Sequence, residues 1–250
     1  MSDYDRGFTR PVPSASADMA VDAGLRAFML GVYNKVALGL VLSAALAYVT
    51  SQVEPVRELL YVMRPDGRVG GYTILGMILA FAPLAVILFG SFALRNPSPR
   101  SSGILYWTIV SLMGASLGVL ALVYTGTSLA TTFLVTAAAF GGLSLWGYAT
   151  KRDLTGFGSF LIVGLIGLII ASLVNIFLHN SMMAFIINVL GVFIFAGLIA
   201  YDTQRLKMTY YELGGNQAAM GVATNFGALS LYINFINLFQ FLLALFGSRR

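Results

Sequence analysis

A chain of 250 residues in which 58% are apolar and only 10% charged is not an ordinary soluble domain, where about a quarter of residues carry charge. The absence of cysteine excludes disulfides and thiolate-bound metal, and a single histidine leaves no partner to complete a transition-metal site. The net charge of +5 comes from basic residues at the ends of apolar runs, so it gives no reason to expect nucleic-acid binding. Composition therefore predicts a membrane protein whose main contact is the lipid bilayer.

Residues 1–25 are polar, contain Pro11 and Pro13 and lack the apolar core of a cleavable leader, so they are expected to form a disordered cytoplasmic tail. Residues 26–250 are read as one transmembrane domain. Seven runs there are long enough to cross about 30 Å of hydrocarbon, which takes roughly 20 helical residues. They are Phe28–Thr50, Tyr72–Leu94, Ile104–Tyr124, Leu129–Ala149, Gly158–Leu178, Met182–Tyr201 and Val222–Phe246. Backbone amides in lipid must be satisfied within the segment, and the runs lack the alternation of barrel strands, so each is read as a helix. The expected fold is all-α, a bundle of seven membrane helices.

Features within the runs follow in chain order. The connection Gln52–Gly70 is balanced in charge. Pro83 removes a backbone donor in the second run and is expected to kink it. Gly114-x-x-x-Gly118 in the third run is a small-residue stripe that lets helix backbones approach, and glycines 141, 142, 147, 164, 167, 191 and 197 are read the same way. Asn175 and Asn188 are expected to hydrogen-bond between helices, and His179 to be solvated in the turn after the fifth run. Asp202 is the only acidic residue inside or at the edge of an apolar run. A carboxylate at membrane depth costs up to about 3 kcal/mol on insertion scales, so it is a functional candidate by default.

In the last run Gly227, Ser230, Asn234, Asn237 and Gln240 recur at spacings of three and four, which makes one polar helical stripe. Leu229, Ile233, Phe235 and Leu243 lie away from it. Amides avoid hydrocarbon, so this helix is expected at the bundle centre or against a cavity. Basic residues flank the runs at Arg26 and Lys35, Arg95 and Arg100, Lys151 and Arg152, and Arg205 and Lys207. These positions share one side, which the positive-inside rule makes cytoplasmic, with the N-terminus inside and the C-terminus outside. Arg249-Arg250 pulls the other way and leaves a re-entrant last segment as an alternative. No nucleophile, base or metal constellation is recognisable, so no enzyme is expected.

Three stretches carry a resemblance: Gly147-Tyr148-Ala149-Thr150-Lys151-Arg152-Asp153-Leu154, Tyr201-Asp202-Thr203-Gln204, and Leu229-Ser230-Leu231-Tyr232-Ile233-Asn234-Phe235-Ile236-Asn237-Leu238-Phe239. With Phe28–Tyr33 and Val123–Gly126 they resemble the Bax inhibitor-1 family, in particular its bacterial, YccA-like branch. The resemblance implies a seven-helix bundle with the last helix central, located in the bacterial cytoplasmic (inner) membrane. It also implies a pH-sensitive calcium leak that needs no cofactor, Ca2+ being the transported ion. In that family the aspartate of Tyr-Asp-Thr-Gln pairs with one in the last span, and the pair senses pH because two close carboxylates tend to share a proton. The first position is Asp202. The second is Asn234, whose amide can donate to an ionised Asp202, so Asp202 and Asn234 are the candidate cation and pH-sensing residues. Relatives also carry an arginine within the second span, where this chain has no basic residue before Arg95. An alternative that the resemblance also allows is a non-transporting regulator that binds a membrane AAA protease or another membrane protein.

Overall fold

The computed structural model describes residues 14–93 and 96–250, with side chains for 23–90 and 96–250. The chain runs α1 (Ser14–Gln52), α2 (Glu54–Leu60), β1 (Tyr61–Met63), β2 (Val69–Tyr72), α3 (Ile74–Ala93), α4 (Pro99–Ser116), α5 (Gly118–Val123), α6 (Gly126–Ala149), α7 (Thr155–Leu178), α8 (Ser181–Glu212) and α9 (Gln217–Phe246). Six of these helices, with α4 and α5 taken as one, are long and apolar enough to cross a membrane, and α3 contributes a shorter apolar stretch, Ile74–Gly90. Among the described residues the architecture is all-α apart from one short hairpin, in which Tyr61 pairs with Tyr72 and Val62 with Gly71.

Four boundaries differ from expectation. Helix α1 begins at Ser14, inside the stretch read as a disordered tail; residues 1–13 of that tail lie outside the described residues. The connection Gln52–Gly70 is not bare loop but holds α2 and β1, and Tyr72 closes the hairpin instead of opening a helix. The third run is broken at Leu117, whose N–H is shared between the Met113 and Gly114 carbonyls, so that a short second helix follows. Helix α8 continues to Glu212, past the expected end at Tyr201, so Asp202 is helical although it stands at the edge of the apolar run.

Local chemistry sets several ends. Ser98 caps α4 in a reciprocal capping box with Ser101, and Thr125 and Asn180 accept the N–H groups of Ser128 and Met183 to start α6 and α8. His179 takes a left-handed conformation (φ 50°) that ends α7 and leaves the ring exposed. Asn175, expected between helices, instead accepts the Asn180 N–H within the same turn.

Helix α9 packs against α1, α4, α6 and α8. Of its most apolar stretch 56% is buried, against 11–28% for the other candidate spans. One core joins α1, α4 and α9 around Val32, Tyr106, Ile109 and Tyr232; a second joins α7, α8 and α9 around Leu161, Leu168, Ile199 and Leu238. Close approaches rest on glycine where expected at Gly114, whose Cβ would meet the Ser43 backbone at 2.5 Å, and at Gly147, whose Cβ would meet the Ala200 carbonyl at 2.3 Å. Glycines 141, 142 and 167 face open space, so for them the packing expectation fails. Helix α9 is uninterrupted and is followed by a tail that returns to the α5–α6 junction, where Arg250 N–H donates to the Val123 carbonyl at 2.9 Å and Thr125 N–H to the Ser248 carbonyl at 3.0 Å. The re-entrant alternative does not describe this segment.

Candidate functional site

The four residues Tyr201-Asp202-Thr203-Gln204 lie on one helix, so successive side chains are turned by about 100° and meet different neighbours. Tyr201 fills the space left by Gly158 of α7, where a Cβ would lie 2.4 Å from the ring. Thr203 donates to the Ile199 carbonyl at 2.8 Å, and its hydroxyl stands 3.4 Å from that of Tyr33 on α1. Gln204 accepts the Leu154 N–H at 2.8 Å and donates to the Arg152 carbonyl at 2.7 Å, which ties α8 to the α6–α7 connection. Asp202 points at α9.

Asp202 is buried, at 4% exposure. Its Oδ2 accepts from the Ser230 hydroxyl in a short contact and from Asn234 Nδ2 at 2.7 Å. Its Oδ1 lies 2.8 Å from the Arg205 guanidinium one turn along α8. Arg205 is half exposed and also lies over the Tyr201 ring, 5.6 Å from its centroid. A buried carboxylate with three donors, one of them cationic, avoids much of the penalty that an unpaired charge would carry there. The geometry requires α9 close to α8, and Gly227 provides it, since a Cβ at that position would lie 2.3 Å from Leu206.

The structure thus brings together Asp202, Asn234 and Ser230, which sequence placed in two separate runs, and Asn234 makes the donor contact expected of it. In sequence Arg205 marks only the charge bias that sets topology. The signal for its second role is its spacing, since residues three apart on a helix are neighbours. It stands beside the carboxylate although the second run has no arginine before Arg95.

Beyond Asn234 lies a cavity of about 660 Å³, lined by Asn234, Asn237 and Gln240 together with Pro83, Ser116 and Ser172. The polar stripe is therefore divided. Ser230 and Asn234 hold Asp202, whereas Asn237 and Gln240 border the cavity, Asn237 donating to the Ile233 carbonyl of its own helix at 2.8 Å. The contrast drawn between this stripe and an apolar face does not hold as a contrast between protein and lipid, because Leu229, Phe235 and Leu243 are buried too. They are covered because α9 has helices on several sides; Phe235, for instance, meets the rings of Phe133 and Phe140 on α6. Outside the spans, hydrogen bonds from the Thr155 hydroxyl and N–H hold the Asp153 carboxyl below the usual carboxylate range and help to start α7. Among the described residues no three His, Asp or Glu side chains gather as a metal site.

A family model described as inhibitor of apoptosis-promoting Bax1 matches residues 25–250, which takes in every helix of the Asp202 cluster. The chain belongs to the Bax inhibitor-1 family. A protein of Caulobacter vibrioides is 68% identical over 250 residues, covering 100% of both chains. Protein RP147 of Rickettsia prowazekii is 42% identical over 243 residues, 97% of this chain and 98% of its own. The inner membrane protein YbhL of Escherichia coli is 38% identical over 239 residues, 95% of this chain and 98% of its own. Together with the apolar helices, these relationships make the chain a membrane protein of the Bax inhibitor-1 family throughout its helical part.

Proposed function

We propose that this chain is a seven-crossing protein of the bacterial inner membrane that leaks cations, Ca2+ foremost, and that the Asp202 cluster is its closed, proton-sensitive gate. The observation that carries this reading is the position of Asp202, the one buried carboxylate among the described residues. Its charge is engaged by Arg205, Ser230 and Asn234, and Asn234 also borders a cavity whose wall carries further amides. A cation crossing here would pass along the α9 amides, on one side of an otherwise mostly apolar cavity, to a carboxylate that is released when the cluster opens.

Several features support the arrangement. Hydrogen bonds from Gln204 to Arg152 and from Asn225 to Pro99 gather the α3–α4, α6–α7 and α8–α9 connections near one end, where Arg100, Lys151 and Arg152 also lie. The positive-inside rule makes that end cytoplasmic and places the N-terminus with it. The burial of α9 and its packing against four helices suit a central position. Protonating Asp202 removes the charge that its three donors share. Bonds to a charged group contribute about 1.5–3 kcal/mol each, so loosening even two of them is comparable to the few kcal/mol that separate major and minor conformers.

The test is calcium flux from dye-loaded liposomes containing the purified chain, measured across pH. Acidification should increase flux in the parent, and Asp202→Asn should give flux that no longer depends on pH. No flux at any pH would overturn the leak reading. The second reading, a non-transporting regulator that binds a membrane AAA protease or another membrane protein, is favoured by one observation. Tyr201, Asp202, Thr203 and Gln204 each fasten α8 to a different neighbour, as a purely structural clasp would. On that reading neither the parent nor Asp202→Asn passes ions, and the substitution only lowers stability.

A further inference from the structure

At the other end of the bundle, two cavities share a wall. One, of about 530 Å³, lies between the α2–β2 region and the C-terminal tail, and four arginines line it: Arg57, Arg68, Arg249 and Arg250. Asp66 is the one acidic side chain in this lining, and its Oδ1 already accepts the Arg68 N–H at 3.0 Å, which holds the hairpin turn. Arg57 has only a long contact to Glu54, at 3.7 Å, and its Nε is buried without a hydrogen-bond partner. The tail is fixed in place by the Arg250 and Thr125 backbone bonds, and Arg249 lies over the Tyr124 ring at 5.8 Å. Four arginines from three separate parts of the chain thus line one cavity with a single acidic side chain, and even with the terminal carboxylate of Arg250 and the distant Glu54 counted the cavity keeps an excess of positive charge.

The second cavity, of about 570 Å³, descends between α1, α6 and α9. Its wall is apolar along Leu40, Ala44, Leu129, Phe133 and Phe239. Ser51, Gln52 and Arg250 line both cavities, so the arginine cluster sits at the mouth of the apolar groove. An anionic head joined to an apolar chain matches this pair in charge and in polarity. Arginine is suited to phosphate because its planar fork donates two parallel hydrogen bonds.

We infer that the two cavities form a single binding site for an anionic phospholipid, its phosphate among Arg57, Arg68, Arg249 and Arg250 and one acyl chain in the groove between α1, α6 and α9. The lipid lies on the membrane face opposite the Asp202 cluster and joins the hairpin, the tail and α1. Its occupancy therefore adds a tie at the end where α9 finishes.

Native mass spectrometry of the purified full chain, released from micelles containing phosphatidylglycerol and phosphatidylcholine of identical acyl chains, tests this. The parent should retain phosphatidylglycerol over phosphatidylcholine by about tenfold or more, since the arginines favour the headgroup that carries net negative charge. Arg57→Gln with Arg68→Gln should bring the two lipids to parity, and Arg68→Gln alone, on the exposed turn, should lower the ratio in the same direction. Gly126→Leu fills the groove from a position where a Cβ meets nothing within 4 Å, and it should reduce retention of both lipids while the arginines remain. Equal retention of the two lipids by the parent, or an unchanged ratio in both arginine variants, overturns the site. If inorganic phosphate displaces the lipid and Gly126→Leu has no effect, the cluster holds a free anion and the lipid assignment is wrong.

Discussion

Replacing Asn234 by aspartate perturbs the cluster with almost no change in shape. Asn234 Nδ2 stands 2.7 Å from Asp202 Oδ2, so Asn234→Asp puts a carboxylate oxygen where a donor was. Two unit charges that close repel by about 4–6 kcal/mol at an effective dielectric of about 20, and the lost bond to a charged acceptor adds about 1.5–3 kcal/mol. Arg205 cannot neutralise both groups, because it is one cation and half exposed. A single proton held between the carboxylates removes most of that cost, so the native variant carries a proton that the unfolded chain gives up above its ordinary carboxylate range. The sign follows from linkage. Where the native state binds the extra proton, stability falls as pH rises, by about 1.4 kcal/mol per pH unit. Unfolding midpoints of parent and variant in detergent should therefore lie closest at about pH 5 and diverge toward about pH 9, with the variant lower. If the cluster gates a leak, calcium flux in liposomes should become more responsive to pH over the same interval. Parallel midpoint curves would refute the close pairing of positions 202 and 234.

Three further outcomes follow from the fold. Reporters fused after Arg100 or Lys151 should remain cytoplasmic and one fused within residues 56–70 should be external; the reverse pattern would sink the orientation. Gly147→Ala places a Cβ 2.3 Å from the Ala200 carbonyl and should cost about 1–3 kcal/mol or more in thermal unfolding, whereas Gly142→Ala, facing open space, should stay within about 0.5 kcal/mol. Phe235→Ala removes a ring that is 2% exposed and packed on Phe133 and Phe140, so a loss of about 3–5 kcal/mol is expected, while Asn237→Leu, whose amide bonds only its own helix, should be milder. A larger loss at Asn237 than at Phe235 would mean that the amide is a packing contact and not a cavity wall.

The helical course was readable because length and apolarity are properties of each run by itself. Every expected run overlaps a helix, and Asp202 stood out because nine other carboxylates lie elsewhere. What sequence could not supply was which helices meet. The amide stripe of α9 was visible, yet its division between Asp202 and a cavity depends on where α3, α7 and α8 sit. The burial of Leu229 and Phe235 has the same origin, since hydropathy cannot distinguish an apolar face against lipid from one against other helices. The break at Leu117 left no proline to mark it. Glycines 114 and 141 look alike in sequence, and only the neighbouring backbone makes one of them a contact and the other a gap.

Asparagine at position 234 and the lack of an arginine in the second run before Arg95 have one physical consequence in common. With a single carboxylate, no like charge needs to be shared with a proton, and the cation that balances it comes from one turn further along its own helix. On the proposed reading the cluster would be a one-proton device. If Asp202 gates the leak, the logarithm of calcium flux should rise by no more than one decade per pH unit of acidification, because one group titrates. The Asn234→Asp variant introduces a second titrating carboxylate and can exceed that slope. A parent slope clearly above one would require another titrating group, and neutralising Asp202 would then leave part of the response. That result would move the proton sensor away from α8 and α9, and the Asp202 cluster would be a structural clasp.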